Sequence, residues 1–332
     1  MIRSLARLFS RLFIFVSLMS LIAFIVSAMW FQHIWNQPSL QSSDRLIIIE
    51  KGTNHSQLAR YLHDESLLPS RWIYAALRFG FTVVEQESFA PKAGEFLIPA
   101  QSSYAELFQI IDQGIPFQHR FTVPEGGRSQ EVIIALLADE RMKGAILRVP
   151  EEGSLAPDTY FFERGTERQE LLSRMQARQE MIVAEEWASR NLDLPFDTAK
   201  EAIMLASIIE KESGLVIEQP LVSSVFINRL MKDMRLESDA TVLYGIVQKE
   251  GQPREVLRKD TKADGPWNTY RRKGFPKTAI GNPSRAAIRA ALNPMPSTYY
   301  YFVADGQGGH NFAKTYEEHL KNVKAYRKLK AK

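Results

Sequence analysis

The sequence predicts an α+β fold that follows a single N-terminal membrane helix. Residues 12–31 form one uncharged apolar run, which has the length of a membrane-spanning helix. From residue 46 onward, short strand-like segments alternate with short helix-like segments, and longer amphipathic helices follow after residue 169. With 332 residues, of which 45% are hydrophobic, the chain is long enough for a membrane segment and two modest domains.

The N-terminal segment has a charge pattern that predicts its orientation. Arg3, Arg7 and Arg11 precede the apolar run, and such positive charges remain in the cytoplasm. We therefore expect a cytoplasmic tail (1–11), a single membrane-spanning helix (12–31) and a polar linker (32–43), with the remaining chain outside the cytoplasmic membrane. The alternative is a signal peptide cleaved after residues 26–28, but its apolar core would exceed the usual length of about 7 to 15 residues.

The composition excludes several classes of site. The chain has no cysteine, so disulfides, thiolate metal sites and thiol nucleophiles are impossible. The formal net charge of +4 is scattered along the chain without a basic stripe, which disfavours a nucleic-acid partner. His310 and His319 lack the clustered partners of a zinc site, so we expect neither a metal nor a cofactor.

A strand–turn–helix pattern occurs three times before residue 140. The predicted strand and helix pairs are 46–50 with 56–62, 94–98 with 104–113, and 117–123 with 129–137. Ser103 and Glu106 have the spacing of a capping box before the second helix. Such units suit a module that binds an extended polymer, although ordinary α+β packing predicts them equally well.

The stretch from Leu205 to Ser213 is the best candidate for the chemistry. Thr198 and Glu201 form a capping box, so we predict a helix over about 199–213 with Glu210 and Glu212 in its last turn. Residues two positions apart on a helix point about 200° apart, so the two carboxylates cannot act as a pair. Both have apolar neighbours able to raise a carboxyl pKa, and periodicity alone does not choose between them. A solvated helix end is the alternative.

The second half of the chain contributes further candidate groups. A predicted helix over 223–230 contains Arg229, and a predicted loop over 234–241 contains Arg235 and Asp239. These three residues either line a cleft or lie on the surface. The irregular stretch 267–283 is too long for a simple turn, and long loops in compact domains are often functional. Residues 299–312 predict a hairpin that carries His310.

Taken in order, these motifs resemble the YceG-like family of endolytic murein transglycosylases, single-pass membrane proteins that cleave peptidoglycan glycan strands. The matching segments are 152–160, 209–212, 226–230, 235–241, 268–270, 301–306 and 309–312, followed by Thr315, Glu318 and His319. The first strand–turn–helix unit, together with the helix predicted at 70–79, separately resembles a small LysM-like peptidoglycan-binding module (44–116). The YceG-like resemblance implies a mixed α+β catalytic domain (117–332). It also implies a bacterial inner-membrane location and work beside cell-wall synthases, the penicillin-binding proteins.

The resemblance further implies site residues and a reaction. It maps the catalytic acid onto Glu210, which should share a cleft with Arg235 and Asp239 while Glu212 points elsewhere. The candidate substrate-binding residues are Glu212, Ser213, Arg229, Arg235, Asp239, Asn268, Tyr270 and His310. One carboxyl suffices if it protonates the bridging oxygen and then deprotonates the muramic acid 6-hydroxyl, which closes to a 1,6-anhydro sugar.

This chain departs from the family pattern at several positions, and two alternative functions remain open. The differing positions are Ser154, Ala156, Glu237, Asp239-Ala240, Pro276-Lys277 and Ser284. They affect the expected substrate contacts more than the reaction. A lysozyme-like hydrolase would need a second carboxylate, from Glu212, Glu237 or Asp239. A non-enzymatic scaffold that binds peptidoglycan would need none.

Overall fold

The computed structural model describes residues 2–39 and 41–330 and has a mixed α+β fold. The first residue of the predicted cytoplasmic tail and the last two of the lysine-rich C-terminal helix lie outside this range. The elements are α1 (Ile2–Trp35), β1 (Arg45–Ile49), α2 (His55–Asp64), α3 (Arg71–Glu85), β2 (Gly94–Ile98), α4 (Tyr104–Gln113), β3 (His119–Val123), α5 (Ser129–Ala138), β4 (Asp158–Phe162), α6 (Arg168–Ala188), α7 (Ala199–Glu212), a 3₁₀ turn (Val216–Glu218), α8 (Gln219–Met231), α9 (Asp239–Glu250), α10 (Arg258–Lys262), α11 (Arg285–Leu292), β5 (Tyr301–Ala304), β6 (His310–Ala313) and α12 (Tyr316–Lys330).

Helix α1 contains a segment that is long and apolar enough to cross a membrane, Phe9–Trp35, with 27 residues. The predicted helix ends at residue 31, but the observed helix continues to Trp35, which is buried. Nor do the following residues form a free linker. The backbone N–H of Ser39 donates to the carbonyl of Ser102 over 2.8 Å, and the side chain of Gln41 is buried. The prediction of a polar linker over 32–43 is therefore wrong for this part of the chain.

The chain divides into two compact units, residues 1–119 and 120–332. In the first unit, β1 pairs with β2 in an antiparallel ribbon with Ile47 opposite Phe96. Helices α2, α3 and α4 supply the rest of its core, which is rich in aromatic rings such as Phe81 and Phe108. The predicted capping box of α4, Ser103 with Glu106, is present. The roles assigned to the predicted domains remain predictions.

The second unit contains two hydrophobic clusters. One lies between the paired strands β3 and β4 and helices α5 and α6. The other surrounds α7, whose residues Leu205, Ala206, Ile208 and Ile209 are all inaccessible to solvent. Helix α7 packs against α6, α8, α9 and α11. The hairpin of β5 and β6 pairs Ala304 with His310 next to its turn.

Helix α7 begins as the sequence predicts and ends one residue earlier. The side chain of Thr198 accepts a hydrogen bond from the backbone N–H of Glu201, and the reciprocal bond completes the capping box. The helix ends at Glu212, because Ser213 adopts an extended conformation. Glu212 is thus the last helical residue, with its carboxyl group close to the negative end of the helix dipole.

Candidate active site

Glu210 is tied to the start of helix α11. Its Oε2 accepts a hydrogen bond from the backbone N–H of Ser284 over 2.7 Å, and Ser284 is the N-cap residue of α11. In a capping box the acceptor for this N–H is the side chain of a Glu or Gln three residues further on, but that position in α11 is Ala287. Glu210 supplies the missing acceptor from another helix. A carboxylate is also stabilising next to a helix N-terminus, so this arrangement has a structural explanation.

Glu212 points to a different part of the unit. Its Oε1 accepts a hydrogen bond from the hydroxyl of Ser238 over 2.5 Å, and the side chain is half-buried. Burial raises the pKa of this carboxyl above its ordinary value, and the charge of Asp239 raises it further. The Ser238 hydrogen bond and the charges of His310 and Arg229 lower the pKa and offset part of this shift. A carboxyl whose pKa is raised by burial is suited to hold and donate a proton.

The start of helix α9 positions Ser238 for this contact. Ser238 is the N-cap residue of α9, but its side chain does not cap the helix, and its hydroxyl donates to Glu212. Its backbone N–H donates to the hydroxyl of Thr269 over 3.0 Å, and Thr269 lies 2.8 Å from the hydroxyl of Thr241. Thr269 is fully buried. This buried pair of threonines joins the loop 268–270 to the start of α9, where Ser238 contacts Glu212.

Asp239 and Tyr270 lie beside Glu212 and contact each other. The phenol of Tyr270 donates to Oδ1 of Asp239 over 2.8 Å. Burial is the main cause that raises the pKa of Tyr270, and the hydrogen bond to Asp239 and the charges of Asp239 and Glu212 add to it. Tyr270 therefore remains a neutral hydrogen-bonding group at physiological pH. Together these residues provide polar groups at one edge of the candidate acid.

His310 is oriented by a carboxylate that the sequence analysis did not identify. Its Nδ1 lies 2.9 Å from Oε2 of Glu218, and its backbone N–H donates to Oε1 of the same residue over 3.2 Å. A carboxylate accepts hydrogen bonds, so Nδ1 carries the proton in this pair. The imidazole packs nearly perpendicular to the ring of Phe302, with 5.3 Å between ring centroids. These contacts fix the ring and direct Nε2 away from Glu218.

Three predicted substrate-binding residues have structural contacts instead. The guanidinium of Arg229 donates to the carbonyls of Arg235, Leu236 and Tyr300, and the side chain is 8% exposed. The amide of Asn268 donates to three backbone carbonyls within 260–263. The hydroxyl of Ser213 is buried in a turn with Leu215. These contacts indicate that the three side chains brace the loops around the site. Arg235 itself is exposed.

The two glutamates have different neighbours. Glu212 contacts Ser238 and lies close to the charges of Asp239 and His310, whereas Glu210 contacts the start of α11. The expectation that Glu210 shares a cleft with Arg235 and Asp239 stays a prediction, and these contacts favour Glu212 as the carboxyl of the polar cluster. Helix geometry correctly separated the two carboxyls. The packing of α9 and α11 against α7 decides which groups each carboxyl meets, and no sequence pattern reports that packing.

Glu152 provides a useful contrast, because burial also raises the pKa of its carboxyl. Its Oε2 accepts from the backbone N–H of Ser129, the first residue of α5, over 2.9 Å. Its Oε1 accepts from the phenol of Tyr244 over 3.3 Å. Both oxygens are therefore engaged within the protein. Among the described residues 2–39 and 41–330, Glu212 has one such bond, to Oε1, so Oε2 is the better candidate to meet a substrate.

Sequence reasoning missed Ser238, Thr269 and Glu218 as individual site residues. Ser238 and Thr269 do lie inside the segments 235–241 and 268–270 that carried the resemblance, so the motif contained a signal that was not assigned to them. Glu218 had no such signal. Its contact with His310 joins residues 92 positions apart and depends entirely on the tertiary fold.

Comparisons with known proteins agree with the sequence resemblance. A protein called endolytic murein transglycosylase from Bacillus subtilis is 33% identical over 180 residues, which are 54% of this chain and 49% of that protein. A protein of the same name from Streptococcus pneumoniae is 32% identical over 194 residues, 57% of this chain and 34% of that protein. The chain thus spans about half or less of the length of these relatives.

The fold also matches a crystal structure of a putative yceG-like protein from Listeria monocytogenes. The match has a TM-score of 0.54 at 24% identity and covers 84% of this chain and 98% of that one. At this level of identity the match concerns the fold alone. The model of the YceG-like family matches residues 47–325, which are most of the chain and include both candidate glutamates. The chain therefore belongs to the YceG-like family.

Proposed function

We propose that this chain is a membrane-anchored endolytic transglycosylase of peptidoglycan in which Glu212 is the catalytic acid and base. The substrate class rests on the family and on the names of the relatives. The observation that carries the choice of residue is the half-buried carboxyl of Glu212, with a raised pKa and one oxygen bonded to Ser238. The role implied for Glu210 by resemblance stays a prediction, and its bond to the N-terminus of α11 favours a structural role.

The proposed reaction uses one carboxyl group twice. Protonated Glu212 gives its proton to the oxygen that bridges N-acetylmuramic acid and N-acetylglucosamine, and the bond from that oxygen to the anomeric carbon breaks. The carboxylate then removes the proton from the muramic acid 6-hydroxyl, whose oxygen bonds to the anomeric carbon. Glu212 ends protonated again. Because the attack is intramolecular, neither water nor a second carboxylate is needed.

The neighbours of Glu212 have roles that follow from their contacts. Ser238 donates to Oε1, which supports placement of the transferable proton on Oε2. Tyr270, neutral and bonded to Asp239, and the Nε2 atom of His310 provide polar groups for sugar hydroxyls. These residues hold and orient the strand, and Glu212 transfers the proton.

Anchoring and partners extend this proposal. The apolar length of α1, with Arg3, Arg7 and Arg11 before it, supports a single membrane crossing with the N-terminus in the cytoplasm. The first unit, built from β1, α2, α3, β2 and α4, would serve as the LysM-like module that binds glycan strands. The cell-wall synthases that make those strands are the expected neighbours, because an enzyme that limits strand length must act where strands grow.

Product analysis tests the function directly. Purified glycan strands digested by the full chain should yield shorter strands that end in 1,6-anhydromuramic acid, about 18 mass units lighter than hydrolysed ends because no water is added. Cuts inside the strands, seen as a broad loss of length, identify an endolytic enzyme. Release of small units from one end contradicts that assignment. Unchanged strands would indicate a non-enzymatic scaffold.

A hydrolase is the second candidate, favoured by the charge of Asp239 acting on Glu212. In that reaction Glu212 is the acid, and Asp239 is the second carboxylate that activates water or attacks the sugar. The bond from Tyr270 to Asp239 would then orient this second group. Mass spectrometry separates the two candidates, because a hydrolase leaves reducing ends that carry the added water.

A further inference from the structure

Helix α3 carries an apolar stripe that is exposed. Trp72, Phe79 and Val83 are 88%, 72% and 61% exposed, and at 100° per residue they lie within about 40° of one another on the helix. The opposite face of α3 is buried in the core of the first unit through Tyr74, Leu77 and Phe81. An isolated exposed apolar residue needs no explanation, but an aligned row on one helix indicates a contact surface.

The same helix lies against the end of the predicted membrane helix. The ring of Phe31 packs directly on Gly80, where a Cβ atom would lie only 1.7 Å from Cζ of the phenylalanine. A side chain at position 80 would therefore displace the ring of Phe31 from this contact. Gly80 lies about 80° around the helix from Trp72. The exposed stripe is thus next to the face that contacts α1.

Helix α1 enters the first unit without a flexible joint. Phe31 is the last residue of the uncharged apolar run, and Trp35 is already buried in the core of the unit, where its ring stacks on Phe31 with 5.6 Å between centroids. Four helical residues rise by about 6 Å. The core of the unit therefore begins about one helical turn beyond the end of the apolar run. With the apolar run in the membrane, this length would place α3 close to the membrane–water interface.

Basic side chains flank the stripe on its other side. Arg71 and Arg78 lie about 100° to 120° from Trp72, away from Gly80. With Arg60, His55 and His63 they line an open groove of about 1050 Å³ beside Trp72 and Phe79. A helix with an apolar face and flanking basic residues is typical of helices that lie in the headgroup region of anionic membranes.

We propose that α3 lies along the lipid surface, with Trp72, Phe79 and Val83 in the interface and Arg71 and Arg78 at anionic headgroups. The continuity of α1 with the first unit, the close contact at Gly80 and the basic flank all support lipid as the occupant of this face. The inference rests on the proposed anchoring by α1. It goes further, because it makes the first unit a second membrane contact and restricts its rotation about α1.

The absence of cysteine in the chain makes the test direct. The full chain is reconstituted in vesicles of zwitterionic and anionic phospholipid, with one spin label at a time introduced by Trp72→Cys, Phe79→Cys or Val83→Cys. The matched control is Thr82→Cys, which places a label on an exposed position of the same helix off the stripe and removes none of the proposed lipid contacts. Phe24→Cys, in the exposed middle of α1, reports the anchor. The relaxation of each label is then measured with oxygen, which concentrates in lipid, and separately with a water-soluble nickel complex.

We expect oxygen to relax the labels on the stripe more strongly than nickel does, and nickel to relax the label at 82 more strongly than oxygen does. The ratio of the two effects should therefore depend on the position around α3. Nickel dominance at the stripe with oxygen dominance at Phe24 overturns the inference and leaves the anchor intact. Shielding of the stripe from both reagents also overturns it, because a protein partner or a second copy would then cover this face. Nickel dominance at Phe24 refutes the anchor and the inference together.

Discussion

The hydroxyl of Ser238 donates a hydrogen bond to Oε1 of Glu212 over 2.5 Å, where the end of α7 meets the start of α9. Hydrogen bonds to the charged form of a carboxyl lower its pKa, so Ser238 moderates the increase that burial produces in Glu212. Ser238 does not cap α9 with its side chain, so its removal costs the helix little. The relationship can therefore be tested without unfolding the protein.

Ser238→Ala should raise the pKa of Glu212 further. An acid must be protonated to act, so the alkaline limb of the pH–rate profile reports this pKa, and it should move to higher pH in the variant. The measurement is the rate of glycan-strand cleavage across the pH range for both proteins. A limb that stays in place or moves to lower pH would show that the titrating acid is not the partner of Ser238.

Glu212→Gln should abolish most activity. The amide preserves the shape and can accept the bond from Ser238 but has no proton to transfer, so turnover should fall by about 10²- to 10⁴-fold. Glu210→Gln is the matched control, two residues away, and should retain most of the turnover. Strand cleavage by the two purified variants is compared with that of the wild type. If Glu210→Gln is the dead variant, the role implied by resemblance is correct and our assignment is wrong.

The same Glu212→Gln variant should be more stable than the wild type at neutral pH. The folded-state pKa of Glu212 is raised above its ordinary value of about 4.5, so the folded protein holds this proton more tightly than the unfolded chain. The wild type therefore loses stability as the pH rises from the unfolded-state pKa of Glu212 through its folded-state pKa. The variant does not, because glutamine does not titrate. Denaturant unfolding of both proteins should give equal midpoints well below the ordinary pKa and a higher midpoint for the variant near pH 8.

Glu210→Ala should instead destabilise the second unit. Without the carboxyl, the backbone N–H of Ser284 loses its acceptor at the start of α11, which costs about 1–3 kcal/mol when such a group is left unsatisfied. Urea unfolding measures the change in the free energy of unfolding. Glu210→Gln keeps an oxygen that can accept the bond, so its free energy of unfolding should fall less than that of Glu210→Ala. Equal stability of Glu210→Ala and the wild type would contradict the structural role.

Glu218→Gln should release His310 from its fixed tautomer. An amide can either accept from Nδ1 or donate to it, so the proton is no longer held on Nδ1. Nitrogen-15 spectra of the imidazole should show Nδ1 protonated in the wild type and a mixture in the variant. Turnover should fall less than in Glu212→Gln. An unchanged tautomer would mean that other contacts orient the ring, whatever the activity.

The sequence by itself determined the features that depend on neighbouring residues. The bounds of α4 and the start of α7 were predictable because a capping box is a local hydrogen-bond pattern with a fixed spacing. The apolar helix at the N-terminus was predictable because its length and composition suffice to identify it. The opposite directions of Glu210 and Glu212 followed from 3.6 residues per turn.

Tertiary structure alone decided what each side chain contacts. α11 packs where Glu210 points and α9 begins where Glu212 points, so the same two-residue spacing produces one structural carboxyl and one candidate acid. Arg229 resembles a substrate-binding cation in sequence, but its guanidinium donates to the backbone carbonyl of Tyr300, 71 positions away, and to that of Leu236 in the following loop. Glu218 meets His310 only because the β5–β6 hairpin folds back onto the 3₁₀ turn. Such contacts depend on packing between elements far apart in the chain, and local patterns carry no record of that packing.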